Sequence, residues 1–234
     1  MRGLDFGFIS TTLLGQVDAS IGGKNGVNVA DYKNMVGTIV HPRFVISDVE
    51  MLRTLSEREL RAGMAEVVKS AIIGDAELFD YIERWAADSL YHSSEQMQNI
   101  VLRAVRVKAA IVEADERERG LRRQLNLGHT IGHAIEKSTR AVNHGEAVAM
   151  GLVAIAKAAA KEGMLPERDA ERIASVVRAL GLSIEPPVPV PAIMRAVRYD
   201  KKRQDNILRV VIPEAIGRCV VREMSFEHFE NMFK

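Results

Sequence analysis

Three of the six histidines of this sequence lie between positions 129 and 144. His129 and His133 are four apart in the segment Leu125-Asn126-Leu127-Gly128-His129-Thr130-Ile131-Gly132-His133-Ala134-Ile135-Glu136, and His144 opens His144-Gly145-Glu146. On a helix, residues four apart project from one face, one turn above the other. Such a pair can hold one metal ion, or one metal ion and one substrate. A metalloprotease pair would carry Glu directly after the first His, and here that place is Thr130. A lone histidine is more often a satisfied buried side chain; three, flanked by Gly and Asn, point to a metal or catalytic site.

The elements that must position these groups are mostly helical. Ser56-Glu57-Arg58-Glu59 reads as a capping box opening a helix with the apolar stripe Leu60, Met64, Val67 and Ala71. Glu66 and Lys69 sit one turn apart on its flank, a spacing that ordinarily gives a surface ion pair. Two further helices are expected over 75–85 and 95–113. In the second, Lys108 interrupts a face made of Val101, Ala104, Ile111 and Val112, so it either snorkels to water or reaches into a polar site. An apolar replacement there should restore the stripe without loss of stability. The charged run 113–119 ends at Gly120, a plausible helix stop. Ala147 to Ala160 is apolar nearly all round and reads as a buried helix, too short for a membrane span and interrupted by Lys157. Pro166 is expected at the first position of a helix that Gly181 closes, and Pro186 to Pro191 as a stiff connector.

β-like runs frame this body. Phe6–Ser10 and Phe44–Ser47 read as short strands, and 207–212 with 216–221 as a late hairpin. Gly22-Gly23-Lys24-Asn25-Gly26-Val27-Asn28 reads as a glycine-rich loop that could approach an anion, with charge from Lys24 and Lys33. It lacks the spacing of a Walker loop. The outline is α+β and mainly α, with a β-containing start of about fifty residues.

Composition narrows the class. Lys+Arg 32 against Asp+Glu 31 leaves a net charge of +1 over 234 residues, so no basic field favours nucleic acid. A single cysteine excludes an internal disulfide framework and offers no Cys pair for zinc. Met1–Phe6 has no apolar signal region. The expectation is a soluble, cytoplasmic protein without membrane or nucleic-acid partners.

With these residues assembled, the chain resembles the 3-dehydroquinate synthases and, more broadly, the sugar-phosphate cyclases. The matching segments, in family order, are Thr11 to Lys24, Tyr32-Lys33-Asn34, Ala65-Glu66-Val67-Val68-Lys69, Asp115-Glu116-Arg117, Asn126 to Glu136, His144-Gly145-Glu146 and Asp200-Lys201-Lys202. The resemblance implies a helical metal-binding C-terminal domain (55–234) preceded by a remnant (1–54) of an α/β nucleotide-binding domain. It implies zinc, with cobalt as a substitute, on Glu66, His129 and His144. His133, Lys69, Lys24 and Asn34 match catalytic positions. Asp18, Lys108, Arg122, Asn126 and either Lys201 or Lys202 match positions that bind substrate. Thr11, Thr12, Lys24, Lys33 and Met51-Leu52-Arg53-Thr54 match contacts to NAD.

The reaction so implied converts 3-deoxy-D-arabino-heptulosonate 7-phosphate to 3-dehydroquinate and phosphate, in the shikimate route to aromatic amino acids. It runs by NAD-dependent oxidation of a hydroxyl, elimination of phosphate, return of the hydride, ring opening and aldol closure. A homodimer is the expected assembly. A relative cyclising another sugar phosphate toward an aminocyclitol, and an inactive metal-binding subunit, are the alternatives. Metal-dependent alcohol dehydrogenases usually use Asp with three His, which Glu66 argues against. The glycine turn that seats the NAD pyrophosphate at a helix N-terminus in the family has no counterpart before Thr11. Weak NAD binding and negligible turnover by residues 1–234 alone are therefore expected.

Overall fold

The computed structural model describes residues 3–29, 32–86, 93–201 and 207–234, with backbone alone at 28, 29, 32–35, 200 and 201. The N-terminal segment contains β1 (Phe8–Ile9), a short π-helical turn (Gly15–Ala19), β2 (Lys24–Val29), β3 (Tyr32–Ile39), β4 (Val45–Ile46) and a 3-10 turn (Val49–Thr54). β1 and β4 pair in parallel, Phe8 opposite Val45. β2 and β3 form an antiparallel hairpin with Val27 opposite Val36. That hairpin corrects the reading of Gly22–Asn28 as a loop: Lys24 to Asn28 are strand residues. Polar and glycine positions hide the alternation that normally reveals a strand.

The helical body follows: α1 (Glu57–Gly74), α2 (Ala76–Trp85), α3 (Ser94–Ala114), a 3-10 turn (Leu121–Asn126), α4 (His129–Ser138), α5 (His144–Lys161), α6 (Glu167–Ala179) and α7 (Val190–Lys201). An antiparallel hairpin of β5 (Ile207–Ala215) and β6 (Arg218–Ser225) and the short α8 (Phe226–Asn231) end the chain. Ser56 caps α1 by accepting from Glu59 N at 3.3 Å, while the Glu59 carboxylate turns to Asn143 instead of closing a capping box. α3 ends at Ala114, short of Gly120, because the Asp115 side chain accepts from the backbone N–H groups of Arg119, Gly120 and Arg122 and bends the chain. Pro166 is the N-cap of α6 and not its first helical residue. The Pro-rich connector is shorter than expected, since Val190 already begins α7. α7 and α8 were not foreseen.

α5 is the hub, packed on α1, α4, α6 and β5. Its near-continuous apolar surface, from Ala147 to Ala159, is buried as expected. Two glycines let it approach closely. A Cβ at Gly145 would run into the Ala62 carbonyl of α1, and one at Gly151 into the Gly128 carbonyl that precedes α4. α5 is thus held against the two helices that carry Glu66 and His129. Leu13, Val17, Val49 and Leu52 from the N-terminal segment join the same apolar core as α1 to α6. Among the described residues, no helix is long and apolar enough to cross a membrane.

Candidate metal and substrate site

Glu66 lies on the buried side of α1 together with Lys69; neither is the surface ion-pair partner that spacing alone suggests. A carboxylate out of water must be paired. Lys69 Nζ contacts Glu66 Oε2 and lies 3.5 Å from Asp18 Oδ1. On the other side, Glu66 Oε1 lies 3.6 Å from His129 Nε2 and 3.4 Å from His144 Nε2. Both Glu66 oxygens are sealed from solvent.

The other ring nitrogen of each histidine is already spoken for. His129 Nδ1 donates to the Leu127 carbonyl at 3.1 Å, and His144 Nδ1 to Glu136 Oε2 at 3.2 Å. The donor atoms of Glu66, His129 and His144 lie within 4.8 Å of one another, as do those of His133, Glu136 and His144. The first set is the buried one. A buried carboxylate with one oxygen facing two imidazole nitrogens fits a small divalent cation, and a Glu-His-His set is the donor type zinc or cobalt takes at an open catalytic site.

Electrostatics follow from this crowding. Burial alone would raise the Glu66 carboxyl, but Lys69, His144 and His129 together outweigh it and bring the group to about 2. Asp18 follows the same logic under Lys69 and Lys108 and is held far below the usual carboxylate range. Burial, with Lys69 nearby, pushes His129 down to about 4. The hydrogen bonds to Glu136 and Glu66 push His144 up to about 9.

Lys108 turns inward rather than to water: its ammonium donates to Asp18 O at 2.6 Å and Asp18 Oδ1 at 2.7 Å, and burial lowers its pKa. His133 is exposed at the rim, its ring 5.2 Å from that of His129 and 6.1 Å from that of His144. Arg122 is buried, and its guanidinium donates to the carbonyls of Gly22 and Glu116. Its fork therefore braces the hairpin base against the bend after α3. Asn126 is exposed and donates to Glu118 Oε1 at 2.9 Å, and Lys24 pairs with the same carboxylate.

Glu118 thus joins two expected site residues, and sequence reading missed it. Its signal is conformational: among the described residues it is the non-glycine residue with a positive φ, 57°, a strained value for such a residue.

The expected NAD contacts are spread along the N-terminal segment. Thr11, Met51, Arg53 and Thr54 are exposed. Thr12 Oγ1 accepts from Gly15 N at 3.0 Å, and the Leu52 side chain is in the core, leaving only its backbone for a ligand. Lys33 and Asn34 lie on β3, but their side chains, like that of Lys201, fall outside the described residues. Lys202 falls wholly outside them.

Two family models account for residues 1–203. Residues 63–203 match the 3-dehydroquinate synthase C-terminal model and residues 1–62 the 3-dehydroquinate synthase N-terminal model. The chain belongs to the 3-dehydroquinate synthase family.

Relatives named 3-dehydroquinate synthase include those of Crocosphaera subtropica (43% identical over 229 residues, 95% of this chain, 63% of the relative) and Aliivibrio fischeri (45% over 225 residues, 94% and 62%). That of Lactococcus lactis subsp. cremoris is 39% identical over 237 aligned positions, 100% and 67%. The chain spans about 63% of the length of the first of these relatives.

Among solved structures, 2-epi-5-epi-valiolone synthase from Streptomyces hygroscopicus subsp. jinggangensis, with NAD+ and Zn2+ bound, superposes with a TM-score of 0.88 at 30% identity. The match covers 99% of this chain and 66% of that one. A 2-deoxy-scyllo-inosose synthase complexed with carbaglucose-6-phosphate, NAD+ and Co2+ gives 0.87 at 25% identity, covering 99% and 67%. The helical body of this chain is therefore that of the dehydroquinate synthase fold.

Proposed function

We propose that this chain is the metal- and substrate-binding part of a 3-dehydroquinate synthase. It would act on 3-deoxy-D-arabino-heptulosonate 7-phosphate to give 3-dehydroquinate and phosphate. The observation that carries this reading is the buried Glu66 carboxylate, set between His129 Nε2 and His144 Nε2 with Lys69, Asp18 and Lys108 alongside. The names of relatives at 39–45% identity support this substrate over those of the cyclases at 25–30%.

Glu66, His129 and His144 would hold zinc or cobalt, and the N-terminal segment would hold part of NAD. When bound, the metal supplies Lewis acidity toward substrate hydroxyl oxygens, and NAD a reversible two-electron oxidation. The remaining work falls to side chains of this chain. Lys69 and Lys108, with Asp18 between them, form a fixed alternating-charge row beside the metal donors. Such a row can orient hydroxyl and phosphoryl oxygens without reorganising. His133, at the exposed rim, is placed to move a proton between substrate and solvent. Lys24 and Asn126 are engaged by Glu118, which an anionic substrate group displaces on entry. The Thr11, Lys24, Arg53 and Thr54 set offers only scattered polar contacts to a dinucleotide. The seat for its pyrophosphate we assign to the additional length the relatives possess. A cytoplasmic homodimer is part of the same proposal, checked by sedimentation of the purified protein.

The test is phosphate release from the seven-carbon substrate. This chain alone should give negligible release. The chain combined with the N-terminal part of the Crocosphaera subtropica relative, fused or in trans, should release phosphate in a manner requiring both NAD and zinc. His144→Ala should abolish that release. Release without NAD, or none from a folded, metal-loaded combination, would overturn the assignment.

A further inference from the structure

His144 presents its two ring nitrogens to two different carboxylates. Nε2 faces Glu66 Oε1 at 3.4 Å, and Nδ1 faces Glu136 Oε2 at 3.2 Å. A carboxylate only accepts, so Glu136 holds the proton on Nδ1, and an ion taken up by Glu66, His129 and His144 would displace the Nε2 proton and meet that lone pair. Glu136 reaches this place by helical spacing: residues 129, 133 and 136 lie on one face of α4. His144 is the first residue of α5. The contact therefore spans two helices, whereas His129 is set by the nearby Leu127 carbonyl.

We propose that Glu136 is a positioning residue for the metal site, fixing the tautomer, ring rotation and basicity of His144; this rests on the metal-site reading above. A carboxylate behind a ligating imidazole makes the opposite nitrogen a stronger donor and holds its lone pair on target. The arrangement is partly shielded, with the Glu136 side chain 11% exposed and that of His144 32%. Glu136 could instead serve as a ligand itself, with His133 and His144. That set places an exposed histidine in the shell, where water competes for the metal, and turns His144 Nδ1 away from its present bond. The buried Glu66 set avoids both costs.

The test is Co2+ titration of the full chain, following the visible absorption of the bound ion, for wild type, Glu136→Ala and Glu136→Gln. Circular dichroism checks that each variant folds. Wild type should take one ion per chain. Glu136→Ala should raise the dissociation constant about 10- to 100-fold. Glu136→Gln keeps an acceptor oxygen and should recover to within about threefold, since the orienting bond survives without the charge. In the zinc-loaded wild type, nitrogen-15 and proton spectra should show the His144 Nδ1 proton shifted by its bond to a carboxylate, and Glu136→Ala should lose that shift. A folded Glu136→Ala that binds cobalt like wild type overturns the proposal. So does a wild type that takes two ions and loses one on this substitution, because Glu136 is then a ligand. A folded wild type that binds none overturns the metal-site reading itself, which the variants alone cannot do.

Discussion

The Lys108 ammonium donates to both the backbone and the side-chain oxygen of Asp18, at 2.6 and 2.7 Å, across 90 positions of sequence. This bond fastens α3 to the π-helical turn of the N-terminal segment. It also changes what a substitution should do. Restoring the apolar stripe with Lys108→Met removes the nearest cation from a carboxylate that Lys69, at 3.5 Å, only partly compensates. Breaking a buried pair from one side is costly, and with Asp18 a quarter exposed we expect a loss of about 1–3 kcal/mol. Urea unfolding of the variant measures it. An unchanged or raised midpoint would show that the pair contributes nothing and that the stripe reading was right.

Asp75 carries a pH-dependent part of the stability. It caps α2 by accepting from Leu78 N at 2.9 Å, and it accepts two bonds from the Arg103 guanidinium of α3. Partial burial would raise its carboxyl, but Arg103 and the backbone donors lower it overall. A folded value below the unfolded one means the contribution is complete above the unfolded pKa, near 4, and is lost as pH falls through the folded value. Asp75→Asn should therefore cost about 1–2 kcal/mol at pH 7 and less as the pH falls toward 3. Chemical denaturation at the two pH values gives both numbers. A penalty that grows toward pH 3 would reverse the sign argued here.

Gly145→Ala should loosen the metal donors without touching one. The new methyl meets the backbone carbonyl of Ala62, which cannot swing aside, so the first turn of α5 must move off α1. His144 on that turn then leaves Glu66. Overpacking of this kind costs about 1–3 kcal/mol. Cobalt affinity should fall along with the thermal midpoint. If affinity stays at the wild-type level while stability drops, the turn is not what sets the donor geometry.

Helical spacing made the His129–His133 pair legible, but the same spacing made Glu66 and Lys69 look like a surface ion pair, and only the family resemblance pointed to Glu66 and His144 as metal donors. The closure of the site was not legible. Glu66 meets His129 and His144 only through the packing of α1, α4 and α5, and no local pattern reports that distance. The same holds for Lys108, whose partner is in a different element. The β2–β3 hairpin escaped notice because Asn25, Gly26, Asn34 and Gly37 break the strand alternation. α7 was masked by the prolines that lead into it. Glu118 was invisible because its importance lies in a backbone bend held by Asp115. The family resemblance offers Arg122 as a ligand-binding fork, and the bonds from its two terminal nitrogens to the carbonyls of Gly22 and Glu116 have no local sequence signal.

The central claim is that Glu66, His129 and His144 form the metal site. Diffraction from crystals of the zinc-loaded chain, collected on both sides of the zinc absorption edge, tests it most directly. The account predicts one anomalous peak about 2.0–2.2 Å from a Glu66 carboxylate oxygen and from Nε2 of both histidines. A fully zinc-loaded crystal with its peak on His133, Glu136 and His144, or with no peak at Glu66, would contradict it.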